Sequence, residues 1–220
     1  MIPDMLSYFA DGANWSGTGG IFARLGEHLW YSILAVLAAV VIAFPVGVFI
    51  GHTGIGRVFL VSASNVLRAL PSLGIMTLLV LLMGLGLLPP LAALVLIAIP
   101  PILAGVYAGV ANVDPEVVDA ARAIGMKDSR IIAQVELPLA LPLILGGLRG
   151  AILQVVATAT IAAYVNLGGL GRYIFDGLAL YDYGKVLVGA VLVTALALVL
   201  DGLMALLVAA FSPARREVPR

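Results

Sequence analysis

Five apolar runs, at about 28–50, 58–88, 91–110, 138–165 and 185–211, fill most of this chain, and one long polar stretch divides them. A hydrocarbon core of about 30 Å takes about 20 apolar residues in helical form. Within lipid every backbone polar group must be satisfied internally, and runs this long without apolar–polar alternation meet that demand as helices. The fold class that follows is an all-α membrane protein, a polytopic helical bundle. Composition agrees, with 62% hydrophobic and 11% charged residues against about 25% charged in soluble domains.

Net charge is zero, which speaks against a nucleic-acid partner or a polybasic surface anchor. Cysteine is absent, so disulfide, thiolate-metal and thiol-nucleophile chemistry are excluded. His28 and His52 stand at opposite ends of the first run, too far apart to share a metal. Asp4 and Asp11 precede that run where a signal peptide would carry basic residues, so it reads as a retained span behind an outer segment, 1–27.

The run 58–88 would reach about 46 Å as one helix at about 1.5 Å per residue. Asn65, Arg68 and Pro71 interrupt it. Counted as one broken crossing it gives five spans; counted twice, six. Basic residues in short loops favour the cytoplasm. Placing Arg57, the Arg122/Lys127/Arg130 group and the Arg215/Arg216/Arg220 tail (212–220) all inside requires an odd count. Five spans are therefore expected, with the N-terminus outside and the C-terminus cytoplasmic.

The polar stretch runs from Asp114 to Pro138 and holds five of the twelve acidic residues. Asp114-Pro115-Glu116 starts a helix: Asp at N-cap, Pro at N1, acids against the positive end of the dipole. Val117, Ala120, Ala121 and Ile124 recur at helical spacing, which predicts one apolar face. Gly125 is placed to end the helix in the left-handed region. Asp128-Ser129 suits the cap of a second short helix ending by Leu137. A helix over 115–124 is too short to stand alone in water and needs a partner surface.

Asp119-Ala120-Ala121, Gly125, Val135 and Leu137-Pro138 resemble the EAA loop of binding-protein-dependent ABC importer permeases. The spacing of that pattern is kept throughout, with Asp in place of Glu and Val in place of Ile. Leu70–Gly74, Gly84–Gly86, Ala157–Thr160 and Leu167–Gly171 extend the resemblance, over nearly the whole chain, to permeases of osmoprotectant importers for glycine betaine, choline, carnitine or proline betaine. The resemblance implies a MetI-like fold, a second permease subunit (the same chain or a sister), an ABC ATPase on the cytoplasmic face and an extracytoplasmic binding protein. It implies that 114–137 is the coupling loop, with Asp119, Ala120, Ala121, Gly125, Leu137 and Pro138 as coupling residues. The chain has no GxxxxGK[ST] loop. It is expected to be a non-catalytic subunit that binds no cofactor, with ATP used by the partner.

Ionisable residues at membrane depth flag function. Arg68, Arg149 and Asp201 each lie about 15–17 Å from the cytoplasmic ends of their spans at about 1.5 Å per residue. Equal depth allows Asp201 to bridge one or both arginines, as a gate or as a structural pair. Gln154, Thr158 and Tyr164 are candidates for a semi-polar lining, or for helix–helix hydrogen bonds. Gly47/Gly51, Gly105/Gly109 and Gly146/Gly150 read as close-packing pairs. Tyr107, Tyr164, Tyr173, Tyr181 and Tyr183 fit either an aromatic cage or an interfacial belt. The competing readings are a permease for methionine or another small solute, a secondary transporter, for which no internal repeat is visible, and an intramembrane enzyme, for which no HExxH or GxSxG motif exists.

Overall fold

The computed structural model describes residues 1–211. The chain begins with a short helix α1 (Ile2–Ala10) and a 3₁₀ turn, Gly12–Trp15, and then enters the long helix α2 (Ile21–Thr53). That helix starts ahead of the expected His28, so Glu27 and His28 lie inside it. It passes through Pro45 and ends at Gly54, whose φ of 72° lets the chain reverse. The pair α3 (Arg57–Ala69) and α4 (Ser72–Met83) follows, bent by 88° at Leu70-Pro71. Pro71 cannot donate a helical hydrogen bond and holds Leu70 in the extended region, which sets the break.

Next come α5 (Leu88–Ala111), α6 (Pro115–Ala123), α7 (Asp128–Ile131), α8 (Leu137–Ala162), α9 (Gly171–Ala179) and α10 (Tyr183–Phe211). Four stretches are long and apolar enough to cross a membrane: α2, α5, the rod Asp128–Val165 that contains α8, and α10. The pair α3–α4 makes a fifth if it counts as one span. At about 1.5 Å per residue neither half reaches across a core of about 30 Å, so two crossings within 58–88 do not occur. The all-α bundle is as expected, and the tail 212–220 lies outside the described residues.

The core is the α2–α5–α8 triad, and small residues allow its close approach. A Cβ on Gly47 would lie 2.8 Å from Val106, and one on Gly51 2.7 Å from Val110. A Cβ on Gly105 would lie 2.6 Å from Gly147 Cα, and one on Gly109 2.9 Å from the Ala140 carbonyl. The expected pair Gly146/Gly150 does not pack this way. Gly146 faces open space and Gly147 takes the contact, because the seam turns by about 100° per residue and only one of two neighbours can face α5. Ala35, Ala39, Ala43, Ala93, Ala98 and Ala151 complete the seam without exposure. Against this triad α4 and α3 pack on α5, while α9 and α10 pack on the far side of α8.

Candidate functional site

The polar stretch folds into a small unit of its own. Asp114 caps α6 by accepting from the Glu116 N–H at 2.9 Å. At the other end the Gly125 N–H donates to the Arg122 carbonyl and the Met126 N–H to the Ala121 carbonyl, with Gly125 at φ 84°. These two bonds form a Schellman motif, and the positive φ is the reason a glycine stands there. The apolar residues of α6 divide into two faces. Val118 and Ala121 are buried on Ile131, whereas Val117, Ala120 and Ile124 are exposed, Ile124 by 80%. Ala121 therefore belongs to the inward face and Val118 joins it. Among the described residues nothing covers the outward apolar strip.

The second helix does not stand apart as expected. Asp128–Ile131 runs through a π-helical turn, Ile132–Glu136, straight into α8. Asp128 is the first helical residue and not a cap; Lys127 holds the N-cap position without a side-chain bond. Leu137 and Pro138 open α8 directly behind that turn, and the proline's missing N–H leaves a gap in the backbone ladder of the rod there. The π turn places Glu136 inward, 4% exposed. His52, at the end of α2, lies with Nδ1 2.8 Å from both Glu136 carboxylate oxygens. The carboxylate accepts, so Nδ1 carries the proton. His52 Nε2 faces Asp128 at 3.9 Å, and Arg122 of α6 reaches Asp119 at 3.3 Å and Asp128 at 3.9 Å. A chain of polar side chains thus links α6, α7, the π turn and the end of α2. Glu136 and His52 escaped the sequence reading because one acid and one histidine 84 positions apart leave no spacing signal.

The other end of α2 is fastened differently. His28 is buried; its Nε2–H donates to the Val156 carbonyl at 3.0 Å, and its Nδ1 accepts from the Leu170 N–H at 3.3 Å. Glu27 accepts from the Gly169 N–H at 2.7 Å and from Arg24 at 2.9 Å. Gly169 has φ 87°, and a Cβ there would meet the His28 ring at 3.1 Å. Tyr173 of α9 packs edge-on against Tyr8 and donates to the Gly19 carbonyl, and burial holds its phenol pKa above the usual range. The Leu167–Gly171 loop and α9 are therefore tied to the N-terminal segment. The tyrosines form no common cage: Tyr164 packs at a tilt of 54° on Phe175 and Tyr181 is exposed.

The intramembrane ionisable residues separate. Arg149 and Asp201 make a two-pronged pair, 2.6 Å from Nε to Oδ1 and 2.7 Å from Nη2 to Oδ2. Arg68 takes no part, because α3 packs on α5 whereas α10 packs on α8, and equal depth does not bring helices together. It lines a pocket with Leu60, Ser64, Asn65, Ala104 and Tyr107. Gln154 is exposed on a strip of α8 with Leu139, Leu143, Gly146, Gly150 and Ala157, Thr158 is half-buried, and Tyr164 is 59% exposed. Among the described residues no group of acids and histidines is arranged to hold a metal.

Residues 39–213 match the family described as "Binding-protein-dependent transport system inner membrane component". The chain is 36% identical over 187 residues to the glycine betaine/carnitine/choline transport system permease protein OpuCB of Bacillus subtilis (strain 168), covering 85% of this chain and 86% of that one. It is 32% identical to the osmoprotectant import permease protein OsmW of Salmonella typhimurium, covering 91% and 94%. Among solved structures, an inward-facing form of the MetNI methionine ABC transporter superposes with a TM-score of 0.79 at 21% identity, over 88% of this chain and 96% of that one.

Proposed function

The chain belongs to the binding-protein-dependent transport system inner membrane components, and from that premise we propose that its cargo is an osmoprotectant of the glycine betaine, choline or carnitine type. It is a multi-pass permease subunit of the inner membrane, and its chemistry is passage, not catalysis. The cargo assignment is supported by one relative named for these three solutes and another named for osmoprotectant import, which align over 85% and 91% of the chain.

The energy comes from a separate ATPase subunit that docks on α6 from the cytoplasmic side. The observation that carries this reading is the outward strip Val117, Ala120 and Ile124, apolar residues exposed on a helix full of charges. Leaving such a strip in water is unfavourable by about 25 cal/mol per Å² of apolar area, so a partner that covers it is stabilised by that amount. Ala120 permits close approach, Asp119 accepts hydrogen bonds at the edge, and Gly125 sets the angle at which the chain leaves the contact. Ala121, buried on Ile131, acts from behind by holding α6 to the rod that begins at Asp128.

Movement of the docked ATPase then reaches the spans by two routes. One is covalent, from the π turn through Leu137 and Pro138 into α8. The other is the His52–Glu136 pair, which draws the end of α2 along. Because α2, α5 and α8 are tightly seamed, they tilt as one body, the rigid-body form of alternating access. The exposed strip of α8 with Gln154, and Thr158 beside it, faces a second permease subunit across the passage. Arg149 and Asp201 hold α10 to α8. The N-terminal segment, the Leu167–Gly171 loop and α9 form the outer rim that receives the extracytoplasmic binding protein, with the N-terminus outside.

The test is reconstitution of the permease with its ATPase and binding protein in vesicles, followed by uptake of labelled glycine betaine, choline, carnitine and methionine. ATP-dependent uptake of at least one of the first three, without methionine, is the expected result. Methionine uptake alone would replace this reading with that of a methionine permease.

A further inference from the structure

Tyr107 and Ala104 lie about 6 Å and 10 Å along α5 from its Ala111 end, at about 1.5 Å per residue. They form one wall of a pocket of about 140 Å³ whose opposite wall is Leu60, Ser64, Asn65 and Arg68 of α3. The three polar residues of α3 fall on one side of the helix at i, i+1 and i+4. Among the described residues none of the side chains of Ser64, Asn65, Arg68 or Tyr107 has a hydrogen bond or ion pair. Arg149 is the contrast: it lies in a span too, and Asp201 neutralises it with two short bonds.

A guanidinium within the thickness of a membrane needs an anion or water, and the pocket supplies no acidic side chain. The guanidinium fork, an amide and a hydroxyl line it instead as donors, with Asn65 and Arg68 exposed. That donor set matches a carboxylate, which accepts two parallel bonds from an arginine. The Tyr107 ring across the pocket offers a surface that attracts a quaternary ammonium. The cavity has room for a small solute.

We propose that this pocket is a station for zwitterionic cargo near the end of its passage, with Arg68 clamping the carboxylate and Tyr107 lying beside the ammonium group. The inference rests on the osmoprotectant reading above. Arg68 is then a specificity residue: it favours glycine betaine and carnitine, which carry a carboxylate, and does nothing for choline, which has none.

The experiment uses the reconstituted complex with wild-type, Arg68→Gln and Arg68→Lys permease, and reads ATP hydrolysis together with uptake of glycine betaine and choline. Arg68→Gln is expected to lower betaine uptake by about tenfold and choline uptake by less than about twofold, with ATP hydrolysis retained. Equal loss of both cargoes would overturn the proposal, because an acidic residue of a second subunit or a lipid phosphate paired with Arg68 would affect both alike. Unchanged uptake of both would overturn it as well. If only carboxylate-bearing cargo is carried, Arg68→Lys must restore about a third or more of the uptake that Arg68→Gln loses, and equal loss in the two variants contradicts the proposal. Wild-type complex that carries neither solute would instead remove the osmoprotectant reading itself, and the Arg68 assignment with it.

Discussion

The two ends of α2 each carry a histidine, and the two are used in opposite ways. His28 spends both ring nitrogens on backbone groups, the Val156 carbonyl and the Leu170 N–H, and so requires the Nε2–H tautomer. His52 turns an Nδ1–H toward the side chain of Glu136. Backbone partners cannot move away without local unfolding, whereas two side chains can part and meet again. The His28 end of α2 is fastened to the Leu167–Gly171 loop, and the His52 end is jointed to the polar unit that holds α6. The difference assigns the two ends different parts: the His52 end passes movement of the polar unit to the seamed body, and the His28 end holds that body to the Leu167–Gly171 loop.

The sharpest way to break this contrast is His52→Ala. It leaves the buried Glu136 carboxylate without its partner, which is expected to destabilise the chain by about 3–5 kcal/mol. Thermal unfolding of the purified complex measures the loss, and His52→Ala/Glu136→Gln should recover a large part of it. The more conservative His52→Gln, which keeps a donor, should fold but move less solute per ATP hydrolysed. At the other end, His28→Ala leaves the buried Leu170 N–H without its acceptor, and about 1–3 kcal/mol is expected. There the solute moved per ATP should stay constant while stability falls, and a drop in that ratio would dissolve the contrast between joint and fastening.

Gly125→Val forces a β-branched residue to φ 84°, at about 1–2 kcal/mol. Membrane insertion, followed by protease protection, should be intact and ATP-coupled uptake abolished. The smallest effect belongs to α8, on a face that meets neither end of α2. Gly146→Ala adds a methyl to open space in the interior of α8 and should raise stability by about 0.5–1 kcal/mol. Gly105→Ala, pressed on the Gly147 backbone, should be plainly worse in the same assay.

What was legible in the sequence was whatever is local. Spans follow from hydropathy, and the limits of α6 follow from Asp114, Pro115 and Gly125, each of which acts on its own backbone. The length of α2 was underread because Glu27 and His28 are polar, and a polar pair at the edge of a run resembles its end. Their partners are 142 residues away, in a loop whose glycines gave no hint of what they touch. Arg68 was grouped with Arg149 and Asp201 because depth is a single coordinate, and three helices of a bundle can share it without meeting. Similarly, Val117 and Val118 stand about 100° apart on α6, and only tertiary packing on Ile131 decides which of them turns inward. The sequence therefore carries the elements and the limits of the polar stretch, while pairings across elements appear only with the fold.

The central claim is that the outward strip of α6 meets the ATPase. The chain has no cysteine, so one introduced at position 124 is its only thiol. Cross-linking of the assembled complex from Ile124→Cys, beside Leu180→Cys at the outer rim, tests the claim directly. The account predicts that position 124 links to the ATPase subunit with a yield that changes on ATP binding, and that position 180 does not. A link from position 180 to the ATPase, or none from position 124, would contradict it.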